Sequence, residues 1–237
     1  MNKPSVVNKL LVDGDIVAYR AAWSVGDGYQ WEMEDKVDEL MEGIIRDTLL
    51  FSSGSDYKTY LTGKGNFRYD VAKTAAYKGN RVASVKPPLL SNARQHLQKL
   101  WNGIIVDGQE ADDAIGIEVT LSDPETTVVA SIDKDMLQLN CWHYNFTKNT
   151  FVYSTKEDGI KFFYKQILTG DVADNIKGIF RVGPVKAEKI LDGLATEEEF
   201  YKAVVEAYDG DKERVLENAR LLWLRRVEGE MWGPPSE

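Results

Sequence analysis

The chain has 237 residues, 43% of them apolar, which suits one α/β domain with an appendage or two small domains. No stretch approaches the ~18 apolar residues of a membrane span. The one cysteine, Cys141, excludes an intrachain disulfide, and His96 and His143 stand apart, which speaks against a zinc site. Residues 1–9 carry no apolar leader core, so a cytoplasmic protein is expected.

Strand and helix signals alternate along the chain. Residues 9–12 read as a strand. Residues 31–50 read as an amphipathic helix, with Val37, Leu40, Met41, Ile44, Ile45 and Leu49 near helical spacing. Residues 57–61 form a second predicted strand. From 62 to 90 there is no periodicity, and Pro87-Pro88 marks a functional or mobile loop. Ser91 is read as the N-cap of a helix running to about Trp101. Then follow a strand at 103–106, a helix at 111–121, a strand at 126–132 and a short helical turn. Residues 141–146 and 150–153 pair as a hairpin across Thr147-Lys148-Asn149. This alternation predicts an α/β fold, a central, mainly parallel sheet flanked by helices. Residues 170–193 read as a helix, a tight turn at 178–183 and a second helix from Pro184. Beyond Leu194 the chain is predicted helical, with Thr196 before Glu197-Glu198-Glu199 as a start signal. Residues 1–155 thus form an α/β core with a basic loop at about 62–90, and 156–237 a helix–hairpin–helix and helical C-terminal region. Trp23, Trp31, Trp101, Trp142 and Trp223 are expected in the core or at interfaces.

Four acidic clusters each follow an apolar run. They are Asp13, then Glu110, Asp112 and Asp113, then Asp133 and Asp135, then Asp171 and Asp174. Such runs read as buried strands, and in open α/β sheets ligands bind beyond the carboxyl ends of the strands. So many anions can share one crevice only if protons or cations neutralise them. With hard oxygen donors and no His/Cys cluster, Mg²⁺ or Mn²⁺ is expected. The net charge of −9 argues at first against nucleic acid, but its distribution does not. Residues 57–106 hold Lys58, Lys64, Arg68, Lys73, Lys78, Arg81, Lys86, Arg94 and Lys99 against the single acid Asp70. A basic stripe beside a carboxylate cluster suits a polyanionic substrate.

Five short segments, in this order, resemble the 5′-nuclease (flap endonuclease) family, which includes bacteriophage 5′–3′ exonucleases and the nuclease domain of bacterial DNA polymerase I. They are Leu11-Val12-Asp13-Gly14, Tyr77-Lys78-Gly79-Asn80-Arg81, Gly108-Gln109-Glu110-Ala111-Asp112-Asp113, Ser131-Ile132-Asp133-Lys134-Asp135 and Gly170-Asp171-Val172-Ala173-Asp174-Asn175-Ile176-Lys177-Gly178. The resemblance implies a PIN-like nuclease core and a metal-dependent 5′–3′ exonuclease or flap endonuclease that hydrolyses DNA near 5′ ends. It implies two Mg²⁺ or Mn²⁺ ions. Asp13, Glu110, Asp112 and Asp113 would serve the first, and Asp133, Asp135, Asp171 and Asp174 the second. Asp13, Asp113 and Asp135, with Lys78 and Arg81 at the scissile phosphate, form its catalytic set, and Tyr77 would stack on a frayed base. Lys177, Gly178, Arg181, Gly183, Lys186 and Lys189 would bind duplex backbone, with K⁺ held at the hairpin. The implied partner is DNA with a 5′ end, flap or nick, or an RNA–DNA hybrid, bound by a monomer in DNA replication or repair in a bacterial or phage-infected cell.

The family's acid at the end of the second strand is missing, since the segment reads Tyr60-Leu61-Thr62-Gly63-Lys64. Asp56 and Asp70 are the candidate substitutes. Arg181 stands where the hairpin often has Gly. Two rivals stay open: a DNA-binding scaffold without metal chemistry, and an RNA-directed nuclease. Taken singly, each cluster also has a plain structural explanation, because acids at helix starts stabilise the helix dipole or cap it.

Overall fold

The protein is described from a computed structural model over residues 3–49, 56–81 and 85–235, with Leu49 described for its backbone alone. The predicted helix end at residue 50, the Leu49 side chain and residues 82–84 of the basic loop lie outside this set.

Strand β1 (Lys9–Asp13) runs into helix α1 (Gly14–Val25), followed by α2 (Gln30–Leu49) and β2 (Asp56–Thr62). Helix α3 (Arg68–Val71) and a 3₁₀ turn (Gly79–Arg81) lie in the basic segment, before α4 (Leu90–Leu100), β3 (Gly103–Val106), α5 (Ala111–Thr120) and β4 (Thr127–Ala130). A second 3₁₀ turn (Lys134–Gln138) leads to the hairpin β5 (Cys141–Asn145) and β6 (Thr150–Ser154), then to α6 (Lys156–Thr169). The short strands β7 (Gly170–Asp171) and β8 (Ile176–Lys177) precede α7 (Pro184–Leu191), α8 (Glu197–Ala207) and α9 (Lys212–Leu222). Among the described residues no helix is long and apolar enough to cross a membrane.

The six-stranded sheet has the order β3-β2-β1-β4-β5-β6, parallel except for the last, antiparallel pair. Alternation along the strands builds two cores. Leu10, Val12, Val128 and Ala130 face Val17, Met41 and Leu97 of α1, α2 and α4. Leu11 and Val129 face Ile115 of α5 on the other side. A third core joins α6 to α9 through Phe163, Ile167, Leu191, Val204, Ala219 and Trp223. The order reverses between β1 and β4, so their carboxyl ends frame the crevice where such sheets bind ligands.

Several expectations need correction. Helix α1 was not anticipated, because its buried face is mostly small: Gly14, Ala18, Ala21 and Ala22, with Val17 alone larger. Gly14 lets α1 lie close to β2, since a Cβ there would meet Thr59 Cγ2 and Tyr60 O at 2.7 Å. Strand β3 is an edge strand with Ile104 and Ile105 exposed, not a buried one. Ser91 lies inside α4, whose N-cap, Leu89, makes no capping bond through its side chain. The run before Asp171 is helix α6, and 170–177 form the two-stranded β7–β8 ladder, so the first helix of the helix–hairpin–helix ends at Thr169. Trp23 and Trp31 are 57% and 60% exposed, outside the core. The Thr196 start signal holds as a capping box with Glu199.

Candidate functional site

At the carboxyl ends of β1 and β4 lies a cleft of about 1030 Å³. Asp13 ends β1 and caps α1, accepting from Ile16 N at 3.2 Å. Its other oxygen accepts from Ser131 Oγ at 2.8 Å, and that hydroxyl accepts from Asp133 N at 3.0 Å. These bonds join the two strand ends. Asp133 caps the 3₁₀ turn through Asp135 N, and Asp135 accepts from Gln166 Nε2 of α6 at 2.8 Å. Asp171 accepts from Asp174 N at 3.1 Å and lies 3.4 Å from Lys134 Nζ.

Burial is the main reason Asp13 holds its proton up to about pH 7, with repulsion from Asp15 and Asp133 adding to it against the Ser131 and Ile16 hydrogen bonds. Asp135 is also raised to about 7, by burial and then by Asp133 and Asp171. Asp112 is raised well above the usual carboxylate range by burial and by Asp13, Glu110 and Asp133.

On the opposite wall the basic segment supplies counter-charge. Lys78 Nζ pairs with Glu110 and sits 3.8 Å from Asp174, while Arg81 Nη2 binds Asp174 at 2.6 Å. Lys78 has φ 53°, a left-handed conformation that a lysine adopts only at a cost. Residues 76–81 belong to the stretch that the sequence marks as a functional or mobile loop. These are tied to the β7–β8 turn by Lys78 N to Asp174 O (2.9 Å), Asn80 Nδ2 to Val172 O (2.7 Å) and Asn175 Nδ2 to Ala76 O (2.9 Å).

The cleft thus gathers Asp13, Glu110, Asp112, Asp133, Asp135, Asp171 and Asp174 with Lys78 and Arg81. Asp113 does not join them. It is fully buried, and Arg68 clasps it through two bonds of 2.6 and 2.8 Å. It also accepts from Arg225 N at 3.2 Å. Burial would raise its pKa, but Arg68 holds it below the usual value. Arg68 is therefore not part of a phosphate-facing stripe; it anchors the basic segment to α5, to Leu221 O and to Trp223 O. Asp113→Ala is expected to cost about 3–5 kcal/mol in urea unfolding, because it strands a buried arginine. A loss under 1 kcal/mol would show that Arg68 finds water instead.

Tyr77 does not present its ring for stacking. It is 4% exposed, and its hydroxyl lies 2.9 Å from a Glu110 oxygen and 2.8 Å from an Asp174 oxygen, with one proton to share between them, so it bridges these two acids. Neither Asp56 nor Asp70 reaches the cleft: Asp56 opens β2 at its far end, and Asp70 lines another groove. Asp15 lines the cleft instead, accepting from Thr62 N at 2.9 Å and pairing with Arg94. Sequence reasoning passed over Asp15; an Asp-Gly-Asp pattern after a strand was the available signal. Ser131, although it opens the segment 131–135, was given no role, and no local pattern marks Gln166.

The hairpin at 178–183 adjoins the cleft through Val182 and Gly183. Gly178 packs so tightly that a Cβ would lie 2.2 Å from Thr169 C. Arg181 has φ 61°, which explains why glycine suits this position. Lys177, Arg181, Lys186 and Lys189 are exposed around it.

A mainly parallel sheet with a carboxylate-floored cleft at its switch point and a cationic segment opposite defines a nuclease-type α/β core of the PIN-like class. No family model matches the chain. The 5′-3′ exonuclease of Mycoplasma pneumoniae is 30% identical over 222 residues, 80% of this chain and 73% of that protein. That of Mycoplasma genitalium is 28% identical over 218 residues, 81% and 74% of the two chains. The bacteriophage T5 flap endonuclease, solved as a pseudo-enzyme–product complex with DNA and metal ions, shares the fold with a TM-score of 0.68 at 16% identity, over 91% of this chain and 88% of that one. The chain belongs to the 5′-3′ exonuclease (5′-nuclease) family.

Proposed function

We propose that this protein is a divalent-metal-dependent 5′–3′ exonuclease and flap endonuclease that hydrolyses phosphodiester bonds of DNA near 5′ ends. The observation that carries this is the meeting, in one cleft, of an anionic floor and a cationic wall beside an exposed basic hairpin. The donors on the floor are oxygens alone. Among the described residues no three His, Cys, Asp or Glu groups are drawn together tightly enough to chelate an ion. Mg²⁺ keeps several waters and takes only one or two carboxylates directly, so a spread carboxylate set fits it, and Mn²⁺ likewise. Asp13, Asp112 and Glu110 would hold one ion, and Asp133, Asp135, Asp171 and Asp174 a second. When bound, such ions activate water and neutralise charge on the attacking and leaving oxygens. The chain's own groups do the rest. Tyr77 and Gln166 orient carboxylates, Ser131 fixes Asp13, and Lys78 and Arg81 face the phosphate.

The direct test is cleavage of a 5′-labelled flap and of its RNA counterpart, in Mg²⁺ and in EDTA. Mg²⁺-dependent products from the DNA flap are expected. Binding without cleavage would instead support the scaffold, and preference for the RNA flap the RNA-directed enzyme.

The duplex is assigned to the hairpin and to α7. Backbone amides and lysines there suit phosphates and carry no sequence preference. Lys186→Ala with Lys189→Ala is expected to reduce the salt slope of duplex binding by about one to two units, alike for unrelated sequences. An unchanged slope would place the duplex elsewhere.

A further inference from the structure

Arg94 lines the cleft from helix α4, away from Lys78 and Arg81 in the chain, and no role in the proposed reaction has been given to it. Its guanidinium is held at two points by two different elements: one Nη donates to Asp15 at the start of α1, the other to Thr62 O at the end of β2. Asp15 in turn accepts from Thr62 N at 2.9 Å, closing a small ring of bonds among α1, α4 and the end of β2. Both side chains keep 22% of their surface exposed, so the pair looks onto the cleft. A fixed planar fork with donors left over is suited to a phosphate, which accepts two parallel N–H bonds.

We propose that Arg94 is a further phosphate-contacting residue of the cleft and that Asp15 is its positioning residue. The ligand is a phosphodiester of the strand entering the cleft, met from the α1/α4 side while Lys78 and Arg81 meet it from the other. This rests on the nuclease function proposed above. Asp15 is assigned to the arginine: one of its oxygens accepts from the Thr62 amide and the other from the guanidinium.

The test is a double-mutant cycle read in two ways: salt dependence of DNA binding in Ca²⁺, and single-turnover cleavage in Mg²⁺. Arg94→Ala is expected to lower the salt slope by about 0.7–0.9, the loss of one phosphate contact, and to slow cleavage by roughly 10- to 100-fold. Arg94→Lys keeps the charge without the fork, so it is expected to restore the slope and leave the rate low. Asp15→Ala is expected to slow cleavage about tenfold, with the slope unchanged. In the Arg94→Ala background it should cost nothing more, because it acts through the arginine. Multiplying effects in the double variant, or Ca²⁺ binding weakened by Asp15→Ala in calorimetry, would overturn the positioning role and make Asp15 an ion-site acid. A wild-type slope in Arg94→Ala would overturn the phosphate contact. If the wild-type protein neither binds nor cleaves DNA, the nuclease function falls, and this pair with it.

Discussion

Asp135→Asn is expected to reduce Mg²⁺-dependent cleavage by on the order of 10³-fold or more, while raising the melting temperature of the metal-free protein. The two effects have one cause. Asp135 faces Asp133 and Asp171 in a half-buried setting, and its pKa is raised to about 7. The sign follows from linkage. Between the unfolded value near 3.8 and about 7, the folded chain holds a proton that the unfolded chain has released. Ionising Asp135 therefore destabilises the fold, and metal-free stability falls as pH rises through this window. Asp13, raised to about 7 by burial, adds to the same slope. Asn removes the charge and can still accept from Gln166 Nε2. At pH 8 the variant should melt about 2 °C or more above wild type, with the gap shrinking toward pH 5. Added Ca²⁺ should raise the wild-type melting temperature more than the variant's. Thermal melts at pH 5 and 8, with and without Ca²⁺, beside single-turnover cleavage, check all of this. Wild-type activity in Asp135→Asn would remove Asp135 from the ion site.

Much of this arrangement was legible in the sequence, because strand ends and acids coincide there. β1, β2 and β4 read correctly from short runs rich in apolar, aromatic or β-branched residues, and α2 from its periodicity, with Val37, Met41 and Ile44 buried as expected. What was not legible is direction. Asp112 and Asp113 are neighbours on one helix, so their side chains leave it about 100° apart. One faces the cleft and the other the protein interior, and the difference is made by Arg68, 45 residues away in sequence. Composition counts Arg68 as one more surface cation, while the fold makes it a buried anchor. Tyr77 was misread for a similar reason. An aromatic beside Lys78 and Arg81 suits base stacking, yet its hydroxyl is needed between Glu110 and Asp174, and its ring packs edge-on against Tyr69 at 5.6 Å. Asp15 was hidden because the bonds that give it a role come from Thr62 and Arg94, which only the sheet and α4 bring to it.

Lys78→Ala is expected to lower the single-turnover rate by on the order of 10²-fold, and duplex affinity by only a few-fold. In the substrate-free protein Lys78 is not idle. Burial alone would lower its pKa, but Glu110 and Asp174 raise it, so it stays charged and neutralises these two acids. Glu110 and Asp174 would be neutralised in its place by bound divalent ions, which would leave the ammonium for a phosphate. The cost is built in locally: the left-handed Lys78 backbone is held by its own N–H on Asp174 O. A cation that meets charge as it develops on the phosphoryl oxygens contributes more in the transition state than in the ground state, so its loss appears in rate before affinity. The same logic gives a second readout without catalysis. Removing the built-in counter-ion leaves Glu110 and Asp174 with less counter-charge, so Lys78→Ala should bind Ca²⁺ more tightly than wild type in calorimetry. The measurements are single-turnover cleavage in Mg²⁺ beside equilibrium DNA binding in Ca²⁺. If rate and affinity fall by the same factor, Lys78 only binds phosphate, and the transition-state role is wrong.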